Sequence, residues 1–166
     1  LCADTRETVN LALPCPTDIV IVESLEGGQG LRVSSYAGTR ATYHSTACGR
    51  ALLAHLPVAV RRKILTLSPL AAPTPKTCTS VAAIETLLSD CRRTGFVSEI
   101  EENELGAACV AAPIRSAGSE ALAAVSVAGP LSRMGAKRRV EVGRMLVARL
   151  GEVEREISQR LPRAVA

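Results

Sequence analysis

A chain of 166 residues has the length of one domain, enough to bury about 70% of its unfolded surface without disulfide or metal support. Apolar residues make up 47%, but one Phe, two Tyr and no Trp imply a close-packed aliphatic core and exclude the aromatic platform on which single-stranded nucleic acid stacks. With 20 basic and 16 acidic residues the net charge is a mild +4, and the densest basic run, Arg133 to Arg139, reads as a solvated helix start before it reads as a phosphate patch.

The opening Leu-Cys-Ala, with apolar patterning from Val9 onward, is what an excised piece of a longer protein would show. Val9 to Leu13 and Ile19 to Val22 alternate as strands around Pro14 and Pro16, and together predict a hairpin. Leu31 to Ser35 reads as a third strand, beyond the turn at Gly27-Gly28-Gln29-Gly30. Cys48 to Leu56 and Val58 to Leu67 read as helices divided by Pro57, and the prolines at 73 and 75 mark a loop. Thr79 or Ser80 can cap a third helix with Val81, Ile84, Leu88 and Cys91 at helical spacing, and Gly95 suits its end.

Three extended segments follow, Phe96 to Glu101, Ala108 to Ile114 and Ala121 to Ala128, the last two joined by a tight link at Ala117-Gly118-Ser119. Ala136 to Leu161 reads as one long helix with Val140, Gly143, Val147, Leu150, Ile157 and Leu161 along one face. Three strands, three helices, three strands and a helix point to an α+β fold, an antiparallel sheet with helices packed on it; a doubly wound fold would alternate them.

None of the six cysteines forms C-x-x-C, and neither a signal peptide nor a membrane-length apolar run is present. Free, mostly buried thiols in a reducing cytoplasm are the expectation, and no membrane partner.

The stretch Tyr43 to Ala54 is the most informative. Its small and polar residues Ser45, Thr46, Ala47, Cys48 and Gly49 stand directly before an apolar helical pattern. A helix start leaves N–H groups unpaired and partly positive, so a small anion or polar ligand fits there. A cysteine at a helix start near His44 is also a candidate nucleophile, and the alternative it offers is a thiol-dependent hydrolase built on Cys48. The plainer reading of Cys48 is a pocket or core residue, and of His44 a loop anchor. His44, Cys48, Glu99 and Cys109 carry zinc-ligand chemistry, but their spacing does not define a site. His55 reads as a surface residue near the helix dipole. Glu101 and Glu102 would point to opposite faces of a strand, which excludes an acid–base pair and leaves Glu102 a structural bond to backbone near the first helix. The Gly27 to Gly30 turn lacks the Lys-Ser/Thr of a phosphate loop, and no cofactor is expected.

Several segments share one pattern. Arg6-Glu7-Thr8-Val9-Asn10-Leu11 resembles G-E-T-V-N-L, with Arg for Gly. His44 to Ala54 resembles H-x-T-A-x-G-K-A-L-L-A, with Arg50 for Lys. Gly95-Phe96 with Glu101-Glu102 and Gly106 resembles G-Y-x-x-D-x-E-E-x-x-x-G, and Cys109 to Ile114 resembles C-I-A-A-P-V. Ala123 to Pro130 with Arg133 resembles A-A-L-S-V-S-G-P-x-x-R. In this order and spacing they are similar to the effector-binding domain of IclR-type transcriptional regulators, from about Thr8 to Leu161.

The resemblance implies a GAF-like or profilin-like fold, a curved antiparallel sheet of about six strands with flanking helices. It implies that Leu1 to Arg6 end a connecting helix, that residues 7–166 are the effector-binding domain, and that a winged helix-turn-helix domain precedes them. By the same resemblance the partners are a small effector of the organic-acid class, operator DNA through that preceding domain, and one or three further copies in a dimer or tetramer. The ligand would lie between Thr46, Ala47 and Cys48 on the helix side and Glu99, Cys109 and Ser126 on the sheet, with Ala128 where the family often has Ser. Glu99 would repel an ionised acid unless protonated or bonded to a ligand hydroxyl, so a hydroxy or phenolic acid is expected. A plain oligomerisation module with a collapsed, aliphatic pocket is the other alternative.

Overall fold

The computed structural model describes residues 1–116 and 120–160. The link expected at Ala117-Gly118-Ser119 and the last apolar position of the tail, Leu161, lie outside the described residues.

The chain opens with one helical turn, α1 (Cys2–Thr5), closed by Arg6 in the left-handed region at φ 58°. The hairpin β1 (Thr8–Pro14) and β2 (Ile19–Leu25) follows. After a long irregular segment come β3 (Arg40–Ala41) and the helices α2 (Ala47–His55), α3 (Val58–Leu67) and α4 (Val81–Thr94). The chain then builds β4 (Val97–Ile100), β5 (Ala107–Arg115) and β6 (Ala121–Pro130) and ends in α5 (Ala136–Arg160). The strands form one curled antiparallel sheet in the order β3-β2-β1-β6-β5-β4, an α+β half-barrel flanked by helices.

Helices cover both faces of the sheet, which explains why β5 and β6 read as nearly continuous apolar runs. Period-two alternation sends Ala12, Ala111 and Ala124 to one face, where they pack with Leu52 and Leu53 of α2 and Ile84 and Leu88 of α4. It sends Val110, Val125 and Val127 to the other, against Val142, Leu146 and Leu150 of α5. Alanine-rich strands let the helices lie close, and aliphatic side chains fill both layers. Ser80 caps α4 by accepting from Ala83 N at 3.4 Å, and Gly95 ends it at φ 85°.

Four expectations are corrected. Leu31 to Ser35 is not a strand: the Leu31 and Val33 carbonyls accept from Arg133 Nη2 at 2.8 Å and Thr8 Oγ1 at 2.5 Å, while Arg40 and Ala41 take the place beside β2. On α5 the buried stripe is Val142, Gly143, Leu146 and Leu150; Val140 and Val147 are 41% and 38% exposed. Gly143 sets that rotation, because a Cβ there would stand 2.4 Å from the Phe96 ring. His55 is half-buried rather than a surface residue: its Nε2 has no partner, and burial, then Arg115 and Arg92, push its pKa down. The six thiols are free, but only Cys48 and Cys91 are buried.

Candidate functional site

The start of α2 is held against the loop before it. Gly49 makes this possible, since a Cβ there would come within 2.5 Å of Tyr43 Cα and O. Thr46 caps the helix from an extended backbone, its hydroxyl accepting from Gly49 N at 3.1 Å and donating to Thr42 O at 2.7 Å. The hydroxyl's proton and one of its two lone pairs are therefore used, and the helix start also offers the N–H groups of Ala47 and Cys48, which no helical turn precedes. The His44 ring turns to Ala71 O at 2.8 Å, an anchor for the loop.

Arg50 locks this loop to the far end of the sheet. It is fully buried, donates to His44 O at 2.6 Å and grips both Glu102 carboxylate oxygens at 2.6 and 2.5 Å. Glu101 and Glu102 belong to the turn after β4, not to a strand, and Glu101 there has φ 56°. Glu102 bonds the Arg50 side chain and also accepts from Cys78 N at 2.7 Å, more than the backbone bond expected of it. The same turn curls its N–H groups onto Glu99, whose Oε1 accepts from Glu102 N at 2.5 Å and Asn103 N at 3.0 Å. Glu99 is 2% exposed, and burial pushes its carboxyl above the usual range against the pull of those N–H groups.

Between α2 and the sheet lies a cavity of about 370 Å³, at the small end of ligand pockets. Thr46, Ala47 and Cys48 line it from the helix; Glu99, Cys109, Ser126 and Ala128 line it from the sheet. Register explains the grouping: Glu99 pairs with Cys109, Cys109 with Ala128, and Ser126 with Asn10. Val33 to Tyr36 and Arg40 form the outer wall, where Arg40 is bound by Asp18 at 2.7 and 2.5 Å.

Burial disfavours the thiolate form of the cysteines in this site. Cys48 sits at a helix start, yet burial pushes its thiol up to about 11, and the nearby His44 ring faces Ala71 instead. Cys109 as a residue is only half-buried, but its thiol is enclosed beside Glu99, and that burial raises it well above its usual range. Nor does the proposed zinc set gather: among the described residues no three His, Cys, Asp or Glu side chains are placed to hold a metal ion.

The cavity also has lining residues that sequence reasoning does not single out, Asn10 foremost among them. Asn10, in the middle of β1, is 4% exposed and points into the cavity, with Nδ2 donating to Ser126 Oγ at 3.5 Å. The signal was an amide inside an apolar strand, noted as part of a motif and not as a wall. The irregular stretch at 33–36 had no signal, because it was read as sheet.

The family described as Bacterial transcriptional regulator IclR C-terminal matches residues 1–158. The transcriptional repressor IclR of Escherichia coli is 32% identical over 92% of this chain and 57% of its own length. The crystal structure of IclR from Thermotoga maritima superposes with a TM-score of 0.85 and 29% identity over 93% of this chain and 62% of that one. The inducer-binding domain of the PobR transcription factor from Acinetobacter, a double mutant in complex with 3-hydroxybenzoic acid, superposes with a TM-score of 0.81 and 26% identity over 92% of this chain and 90% of that one. The chain spans about half the length of the curated relatives it matches.

Proposed function

The chain belongs to the IclR family of bacterial transcriptional regulators, as their C-terminal domain, and from that premise we propose that it is the effector-sensing part of a DNA-binding regulator. The effector is a small organic acid carrying a hydroxyl or phenol. One observation carries this reading: the cavity joins the start of α2, whose Ala47 and Cys48 N–H groups have no intrahelical partner and suit a carboxylate, to the polar side chains of Asn10, Ser126 and Glu99. The hydroxybenzoic acid held by the PobR domain is of the same class. A collapsed oligomerisation module would not keep such a space, and the raised Cys48 thiol speaks against a hydrolase.

The mechanism is a population shift. A ligand favours the pocket geometry it binds best, and α1 hands that bias to a winged helix-turn-helix domain ahead of it, altering operator binding by a dimer or tetramer. The connection is short. The irregular segment 31–36, of which 33–36 line the cavity, is tied to the first residues of β1 by Thr8, and Arg133 joins the Leu31 carbonyl to Glu7, whose carboxylate it grips at 2.5 and 2.8 Å. Residues 1–6 are in this reading the end of the connecting helix and residues 7–166 the sensing domain.

A thermal-shift panel of organic acids tests it. An acid at 100 times its Kd stabilises by about 2.7 kcal/mol, which for a domain of this size raises Tm by roughly 5–10 °C. A folded protein whose Tm no acid moves would sink the sensing role.

A further inference from the structure

Among the described residues three buried side-chain N or O atoms lack a hydrogen-bond partner: Asn10 Oδ1, Ser24 Oγ and His55 Nε2. Of these residues only Asn10 lines the cavity. Buried polar atoms are almost always paired, so an amide oxygen held at 4% exposure on a cavity wall marks a place where something else donates. We propose that Asn10 is the specificity-determining residue of the pocket and that its amide oxygen selects ligands bearing an O–H or N–H donor. The inference rests on the sensing role and adds which group reads the ligand.

The surroundings give the amide's nitrogen a partner and leave its oxygen without one. Nδ2 is turned to Ser126 Oγ, its partner in the β1–β6 register. Glu99, the acceptor that the sequence suggested for a ligand hydroxyl, has one carboxyl oxygen filled by two backbone N–H groups of its own turn, and the group stands beside the Cys109 thiol. A carboxylate has no donor and would repel the Asn10 oxygen, so it belongs at the other wall, on the Ala47 and Cys48 N–H groups. The ligand is thereby oriented: acid toward α2, donor toward β1 and β6. An acid of the same shape without the donor leaves Asn10 unpaired and is rejected.

The test uses matched pairs that differ by one hydroxyl, lactate against propionate and 3-hydroxybenzoate against benzoate, with Kd read by calorimetry. For the unaltered chain the hydroxylated member of the pair that fits binds about 10-fold more tightly or better. In Asn10→Val that preference falls to within about threefold. In Asn10→Asp, which keeps acceptor oxygens in place, the preference survives while both acids bind more weakly by charge repulsion; it decides the matter if Asn10→Val does not fold. A preference unchanged in Asn10→Val, or lost in Asn10→Asp, overturns the assignment while leaving the sensing role intact. If neither member of either pair and no other hydroxy acid binds, both fall together.

Discussion

Glu99 is a carboxyl whose burial sets its chemistry apart from that of a surface glutamate. Its carboxyl is raised, chiefly by burial and further by the charge of Glu102, so the folded state holds this proton more tightly than the unfolded chain does. The contribution to stability is then fully present below the unfolded carboxylate range and is lost as pH rises through the raised folded value. Ionisation also places a negative charge on the wall opposite a bound acid. Glu99→Gln keeps an acceptor for the two turn N–H groups and removes both effects. The variant is expected to be at least as stable as the parent at neutral pH, with a flatter stability–pH curve above the unfolded range and an acid affinity that no longer falls as pH rises. Urea titrations and calorimetry at several pH values check this, and a parent and variant with parallel pH profiles would show that Glu99 does not titrate there. At this scale the sequence named seven lining residues that the fold gathers around one cavity, but not what each atom is free to do. Thr46 offers a hydroxyl whose proton goes to Thr42 and one of whose lone pairs goes to the helix cap, while Asn10, part of a strand pattern in the sequence, carries a buried oxygen with no partner. Side-chain availability depends on partners distant in sequence, and a motif does not list them.

At the scale of elements, α2 matters most, because its start forms one wall and its position is set by contacts on two sides. Gly49 lies against the backbone of Thr42 and Tyr43, and Arg50 reaches the turn after β4. Gly49→Ala would favour an isolated helix by about 1 kcal/mol. Here the added Cβ meets backbone atoms at 2.5 to 2.7 Å, which cannot move cheaply. The substitution is therefore expected to destabilise the fold by about 1–3 kcal/mol and to weaken acid binding as the helix start lifts off its loop. Chemical unfolding and a binding isotherm on the same sample check both, and a stabilised variant would show that the loop gives way. Helices bounded by proline, a serine cap or a left-handed glycine were legible to within a residue or two, since their limits are local chemistry. The third strand and the rotation of α5 were not. Both depend on tertiary partners: Thr8 and Arg133 for the carbonyls of the 31–33 segment, and the Phe96 ring against Gly143.

Over the whole molecule, the sheet separates two aliphatic layers, and the cavity opens in the one built by α2, α3 and α4. The seam between cavity and exterior is the irregular segment at 31–36, whose carbonyls are tied to the N-terminal end of the chain through Thr8, Glu7 and Arg133. A ligand that orders this wall acts on the same end at which a preceding domain would attach. The fold as a whole was legible because five motifs in register and the blocked order of strands and helices agree; the coupling was not, because it runs through a segment without regular structure. The most direct test of the account is a titration of the isotopically labelled chain with a binding hydroxy acid, followed by backbone and side-chain amide resonances. The account predicts saturable shifts at the Ala47 and Cys48 N–H groups and at the Asn10 side-chain amide, with α5 positions such as Gly151 unmoved. Shifts clustered away from the cavity, with these three groups unchanged at saturation, would contradict it.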